Sequence, residues 1–144
     1  MKILNFIIIL YVSIPNLHDV VNEFHELNTK ELELIFIDNY KENKNPSIVG
    51  YVHAVEMKQA EYKINPIVKL NIFNKTKKKL NQLIANYPDD IHLRYIRLML
   101  QEKSPAFLGY NNFIKEDKLF ITKKLEIKDN SDYLDKFIYK NTSL

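Results

Sequence analysis

The chain has no cysteine and no tryptophan, two glycines in 144 residues, and two arginines beside nineteen lysines. Each shortage removes a class of chemistry. Without cysteine there is no disulfide framework, thiolate nucleophile or lipid-anchoring thiol; export stays open, because many exported proteins need no disulfide. Two glycines leave no Gly-rich phosphate cradle, and no serine stands in a Gly-flanked elbow. So few glycines, with five prolines, also leave few sharp turns for a β-sandwich, which favours helices joined by short loops. Acid–base hydrolysis has no support either: Asp89 and Asp90 are adjacent and read as helix-start charges.

Charge of one sign is also scarce. Twenty-one basic and eighteen acidic groups give a formal +3, a field too weak to call for nucleic acid or anionic lipid. The one basic cluster, "NKTKKK" at 74–79, lacks the broad basic face with stacking aromatics that nucleic acid wants, and reads as a solvated helix face. Eighteen Ile, nineteen Lys and sixteen Asn suggest an AT-rich coding sequence, and against that background arginine is the residue to explain.

At this length the chain is expected to form one domain burying roughly two thirds of its unfolded-state surface. Residues 1–16, "MKILNFIIILYVSIPN", follow the order of a secretory signal: a one-Lys start, an apolar run from Phe6 to Val12, then a polar, Pro-containing break. The run is shorter than the about 20 residues a transmembrane helix needs, so no transmembrane span is expected. Tyr11 two residues before Ser13 makes a poor cleavage site, and a first buried element of a cytosolic protein is the alternative. The expected location is periplasmic or secreted, otherwise cytoplasmic, with the domain at 17–144.

The helix punctuation is regular. Asn28 with Glu31 is expected to cap a helix carrying Leu32, Ile35, Phe36 and Tyr40 at helical spacing. Asn45-Pro46 and Asn65-Pro66 each set a capping residue before a first-turn proline, predicting helices over 46–62 and 66–86. The first should turn Val49, Val52, His53, Met57 and Ala60 to one side; the second, Ile67, Leu70, Phe73, Leu80 and Ile84. Pro88 closes the second, and Asp89 and Asp90 open another reaching about 102, with Ile91, Tyr95, Leu98 and Met99. A helix with Phe113, Ile114, Asp117, Phe120, Ile121 and Leu125 follows, and Ser131 is expected to cap a last one with Leu134, Phe137 and Ile138. Starts near 29, 46, 66, 89, 112 and 131 make a two-helix unit of about 40 residues. The expected fold is all-α: an array of antiparallel helical hairpins, a tetratricopeptide-like helical repeat.

The stretches "GYVHAVEMKQAEYKINPIVKL", "FNKTKKKLNQLIANYPDD", "LRYIRLMLQEKSPAFLGYN" and "DKLFI" resemble an uncharacterised family of small helical proteins from Bacteroidetes-type bacteria. The resemblance covers residues 49 to 126 and implies a helical pairing similar to tetratricopeptide arrays, and export in many members. It implies no activity. The tetratricopeptide's usual Trp and small-residue pattern is missing from the first helix, so no peptide-binding groove carries over residue by residue.

Both arginines, Arg94 and Arg97, fall in "DDIHLRYIRLMLQE". A guanidinium grips a carboxylate with two parallel hydrogen bonds and tolerates partial burial better than an ammonium, so a clamp between helices calls for Arg where a surface charge accepts Lys. Arg94 is expected to reach back to Asp90, and Arg97 with Gln101 to meet Glu116 or Asp117. The competing reading is a surface for a protein partner or an anionic ligand, formed by Arg94, Arg97, Gln101, Tyr110 and Asn111.

"PAFLGY" at 105–110 reads as a hydrophobic plug with Gly109 at positive φ, or else as an aromatic recognition loop. In "HDVVNEFHE", His18, Asn22 and His25 share a helical side, but without the His-Glu-x-x-His spacing no metal is assigned. His53 and His92 read as packing or surface residues. No catalytic residue, cofactor or metal is expected. The function that follows is a non-catalytic helical-repeat binding or scaffold protein with an unidentified protein partner. The alternative is a small enzyme or ligand-binding protein holding an anionic group with Arg94 and Arg97.

Overall fold

The structure, a computed structural model, describes residues 14–144, and it is all-α. The described residues form seven helices and no strand: α1 (Leu17–Glu26), α2 (Lys30–Tyr40), α3 (Pro46–Lys58), α4 (Pro66–Asn86), α5 (Ile91–Lys103), α6 (Ile114–Leu125) and α7 (Asp135–Asn141). Short 3₁₀ turns at Gln59–Tyr62, Ala106–Leu108 and Asp132–Leu134 join or extend them. None of these helices is long and apolar enough to cross a membrane. Most of the expected secretory segment lies outside the described residues.

Side-chain caps explain where most helices begin. Asn45 Oδ1 accepts from the amides of Ser47 (3.0 Å) and Ile48 (3.5 Å), with Pro46 as the first helical residue. Asn65 and Pro66 repeat the arrangement for α4. Asp90 Oδ1 accepts from His92 and Leu93 at the start of α5. Such caps satisfy amides that have no partner inside the helix, and losing one costs about 1 kcal/mol.

Two expected caps are corrected. Thr29, not Asn28, caps α2, its Oγ1 accepting from Leu32 N at 3.2 Å. That one-residue shift moves Glu31 to the second helical position, out of the reciprocal capping-box geometry. Ser131 does not cap the last helix: its amide and hydroxyl both bond Asp129 Oδ1, and α7 starts after the 3₁₀ turn. The rhythm of six starts also passed over α1, whose Val20 and Val21 are fully buried.

Helices α3 and α5 form the centre. Every residue from Ile91 to Met99 of α5 is buried, polar ones included, so this helix is covered on all sides. The pairs α3–α4 and α5–α6 pack most extensively, and α3 also lies against α5, α2 and α1. Gly50 permits the approach of α3 to α5: a Cβ there would stand 2.3 Å from Leu93 Cδ2. The main core gathers Phe36, Ile48, Tyr51, Leu80, Leu93, Ile96, Leu98 and Ile121, with Leu134 and Ile138 closing it from the C-terminus.

The outer helices bury narrower stripes than their periodicity predicts. On α2, Phe36 is buried but Leu32 and Ile35 are exposed, while Glu33 is fully buried. Its carboxylate accepts from Gln59 Nε2 (2.5 Å) and Tyr62 Oη (3.1 Å) and pairs with Lys58 Nζ (2.6 Å), which ties α2 to the end of α3. On α4, Phe73, Leu80 and Ile84 are buried, whereas Ile67 and Leu70 remain 68% and 46% exposed. The first turns of α4 therefore present apolar side chains that no helix among the described residues covers.

Candidate functional site

Two places have unusual chemistry, and they do not overlap. The first is the arginine cluster between α5 and α6. Arg97 holds Asp117 with two parallel bonds, Nε to Oδ2 at 2.7 Å and Nη2 to Oδ1 at 2.6 Å. Arg94 Nη1 donates to Asp117 Oδ1 at 3.0 Å and to Glu116, while its Nε donates to the Pro88 carbonyl at 2.9 Å. Gln101 spans the helices, its Nε2 3.4 Å from Asp117 Oδ2 and its Oε1 accepting from Phe113 N at 3.0 Å. The Phe113 and Phe120 rings lie under the Arg97 and Arg94 guanidinium groups, at 4.0 and 5.1 Å.

Two arginines and two carboxylates leave this cluster without net charge, and Asp117 is fully buried. The hydrogen bond from Arg94 holds the Glu116 carboxyl below the usual range. Among the described residues no buried side-chain nitrogen or oxygen lacks a partner. The cluster is a clamp whose donors and acceptors are used internally. Arg94 does not bond Asp90, because that carboxylate caps α5 and accepts from Ser47 Oγ at 2.7 Å.

Of the five residues expected to form one surface, the fold joins only Arg94, Arg97 and Gln101, and all three are buried. Tyr110 makes no hydrogen bond to them: it is buried edge-on to Phe73 in a small satellite core with Met57, near enough for the charges of Arg97 and Asp117 to act on its hydroxyl, and Asn111 faces solvent. Gly109 has the expected positive φ, 60°, and Tyr110 is buried, but Pro105, Ala106 and Phe107 are exposed, Phe107 at 86%, so the segment turns over the surface and is not a buried plug.

The histidines are occupied by packing. His25 stacks on Phe137 with ring centroids 4.2 Å apart, and its Nε2 lies 3.1 Å from Tyr95 Oη. Burial first, then the fields of Lys103, Lys140 and Lys136, lower its pKa to about 4. His92 has a tyrosine hydroxyl on each ring nitrogen, Tyr51 at 2.9 Å and Tyr133 at 3.2 Å, and burial lowers its pKa to about 4. His18 packs on Tyr133.

The second place is a groove of about 820 Å³ formed by the ends of α1, α3 and α5, the first half of α4 and the 105–108 turn. Its lining is mainly apolar, with Phe24, Val55, Met57, Leu70, Phe73, Met99 and Leu100. Lys69 and Lys103 stand on it, exposed and without a carboxylate in ion-pair reach among the described residues, while Lys58 is held by Glu33. None of the arginine-cluster residues lines it. The sequence signal for the groove is ambiguous: Leu70 fits an inward stripe, and the structure leaves it half-exposed on the groove wall. No protein-family model matches this chain, nor does any curated protein or solved structure.

Proposed function

We propose that this chain is a non-catalytic binding module on a tetratricopeptide-like helical-hairpin scaffold, working outside the cytoplasmic membrane, and that it binds through the apolar groove. One observation carries the reading: about 820 Å³ of mainly apolar space stays open beside exposed Leu70 and Phe107. Ligand sites are typically concave, mostly apolar and of about 300–1,000 Å³. The arginine cluster supports this choice by exclusion, since its carboxylates already occupy the donors that an anionic substrate or partner would need. Export and kinship with the small helical family rest on the N-terminal segment and the middle stretches of the sequence.

The test is uptake of a neutral solvatochromic dye such as Nile red by the full chain. Saturable one-site binding, lost in Leu70→Asp, is expected; no saturable uptake ends the reading. The export component is checked separately, by mass spectrometry of the N-terminal peptide from cells. A missing first peptide is expected, and an intact Met1 removes that component.

A further inference from the structure

The groove's shape and charge narrow what it can hold, given the binding reading above on which this inference rests. Its walls converge from four helix ends and one turn. The interior includes the flexible thioethers of Met57 and Met99 beside Phe73, a surface that adapts to a hydrocarbon chain. Its mouth is positive: Lys69 and Lys103 approach from α4 and α5, Lys136 and Lys140 of α7 act with Lys103 on nearby His25, and among the described residues Glu61 is the one lining carboxylate. His25 is neutral at pH 7, so the lysines alone supply this charge.

We infer that the groove takes a single-chain anionic amphiphile, a long-chain carboxylate free in solution, with its hydrocarbon among Val55, Met57, Phe73 and Met99 and its carboxylate at Lys69 and Lys103. Apolar burial holds the chain, and the two ammonium groups choose the head group. Because those lysines are exposed, their contribution is modest and salt-sensitive.

The experiment displaces Nile red from the full chain with dodecanoate and with dodecan-1-ol, which share a tail and differ in charge. Dodecanoate should bind about tenfold more tightly, as expected for two exposed ion pairs. Lys69→Glu with Lys103→Glu should erase the preference while dye affinity and the helical circular dichroism persist. Raising the salt from about 0.02 to 0.5 M should shrink it in the unmodified protein. Equal affinity for acid and alcohol overturns the inference and leaves the binding reading standing. Displacement by phosphatidylglycerol vesicles but not by dodecanoate gives the groove to a bilayer surface. Dye uptake only after removal of residues 1–13 gives it to the chain's own N-terminus. Either result overturns the inference, whereas absence of saturable dye uptake removes the binding reading itself.

Discussion

Helix α5 is clamped to α6 by ionised groups, whereas its last turn and the first half of α4 line an apolar groove, and the two places end differently. At the clamp, Arg94, Arg97, Gln101, Glu116 and Asp117 satisfy each other, and solvent is excluded from Asp117. At the groove, the lining side chains of α4 and α5 leave about 820 Å³ between them. A buried carboxylate has steep energetic consequences if its partners move, so the clamp admits one rotation of α6 against α5. Apolar side chains make no such demand and tolerate a gap that a ligand can fill. The charged residues of this protein are therefore a guide to rigidity, and the apolar ones to where binding is open.

The sharpest way to break the comparison is Asp117→Ala, which takes both hydrogen bonds from the Arg97 guanidinium in a covered site, while Arg94 keeps Glu116 and the Pro88 carbonyl. Removing one side of a buried pair costs about 3–5 kcal/mol. Urea unfolding should show that loss, while the remaining folded molecules take up dye as before; a loss under about 1 kcal/mol would mean that the clamp is solvated.

Acid acts on the central packing next. Within the fold, His92 and His25 take up protons only near pH 4, whereas in the unfolded chain an ordinary histidine does so near 6.5. Below pH 6.5 the unfolded state binds more protons, so stability falls as pH drops toward 4. His92 contributes about 3 kcal/mol across that window, and His25 less because its ring is partly open to solvent. Urea midpoints at pH 7, 6 and 5 check this above the range where carboxylates titrate; a flat profile would contradict it.

Gly50→Ala tests the α3–α5 approach behind the groove. The new Cβ would collide with Leu93 Cδ2, and Leu93 is fully buried with nowhere to yield. Overpacking costs about 1–3 kcal/mol, and better helix propensity returns about 1, so a net loss of up to about 2 kcal/mol is expected by chemical unfolding. Adding Leu93→Ala should cost less than the sum of the two single changes.

The smallest stability effect should come from the groove rim. Leu70→Asp places a charge on a half-exposed position and should shift stability by only about 0.5 kcal/mol while abolishing dye uptake. A large loss of stability there would mean that Leu70 belongs to the core.

Local chemistry made some elements readable and left others ambiguous. Asn45-Pro46 and Asn65-Pro66 mark helix starts because both residues act within one turn, and the limits of α4 match the expected 66–86. Arg97 and Gln101 meet Asp117 as their type and spacing suggested, since a guanidinium in a lysine-rich chain points to a bidentate partner. Asn28 and Thr29 are both competent caps, and only the packing of α2 selects Thr29. Glu33, an ordinary surface residue by type, is buried because Lys58, Gln59 and Tyr62 converge on it from a distant stretch of chain.

By itself the sequence determined that this protein is helical, where α3, α4 and α5 begin, and that Arg97 answers to an acidic partner on the next helix, whereas Arg94 turns to that helix instead of the expected Asp90. Those features depend on neighbours within a few residues or on a charge that must be paired. Tertiary structure alone decided that Tyr110 packs on Phe73 in a satellite core without joining the hydrogen bonds of the clamp, that α5 is covered on every side from Ile91 to Met99, and that the start of α4 stands open among the described residues. The reason is geometric: periodicity marks which face of a helix is apolar, and only the crossing of the helices decides whether that face meets another helix or a cavity.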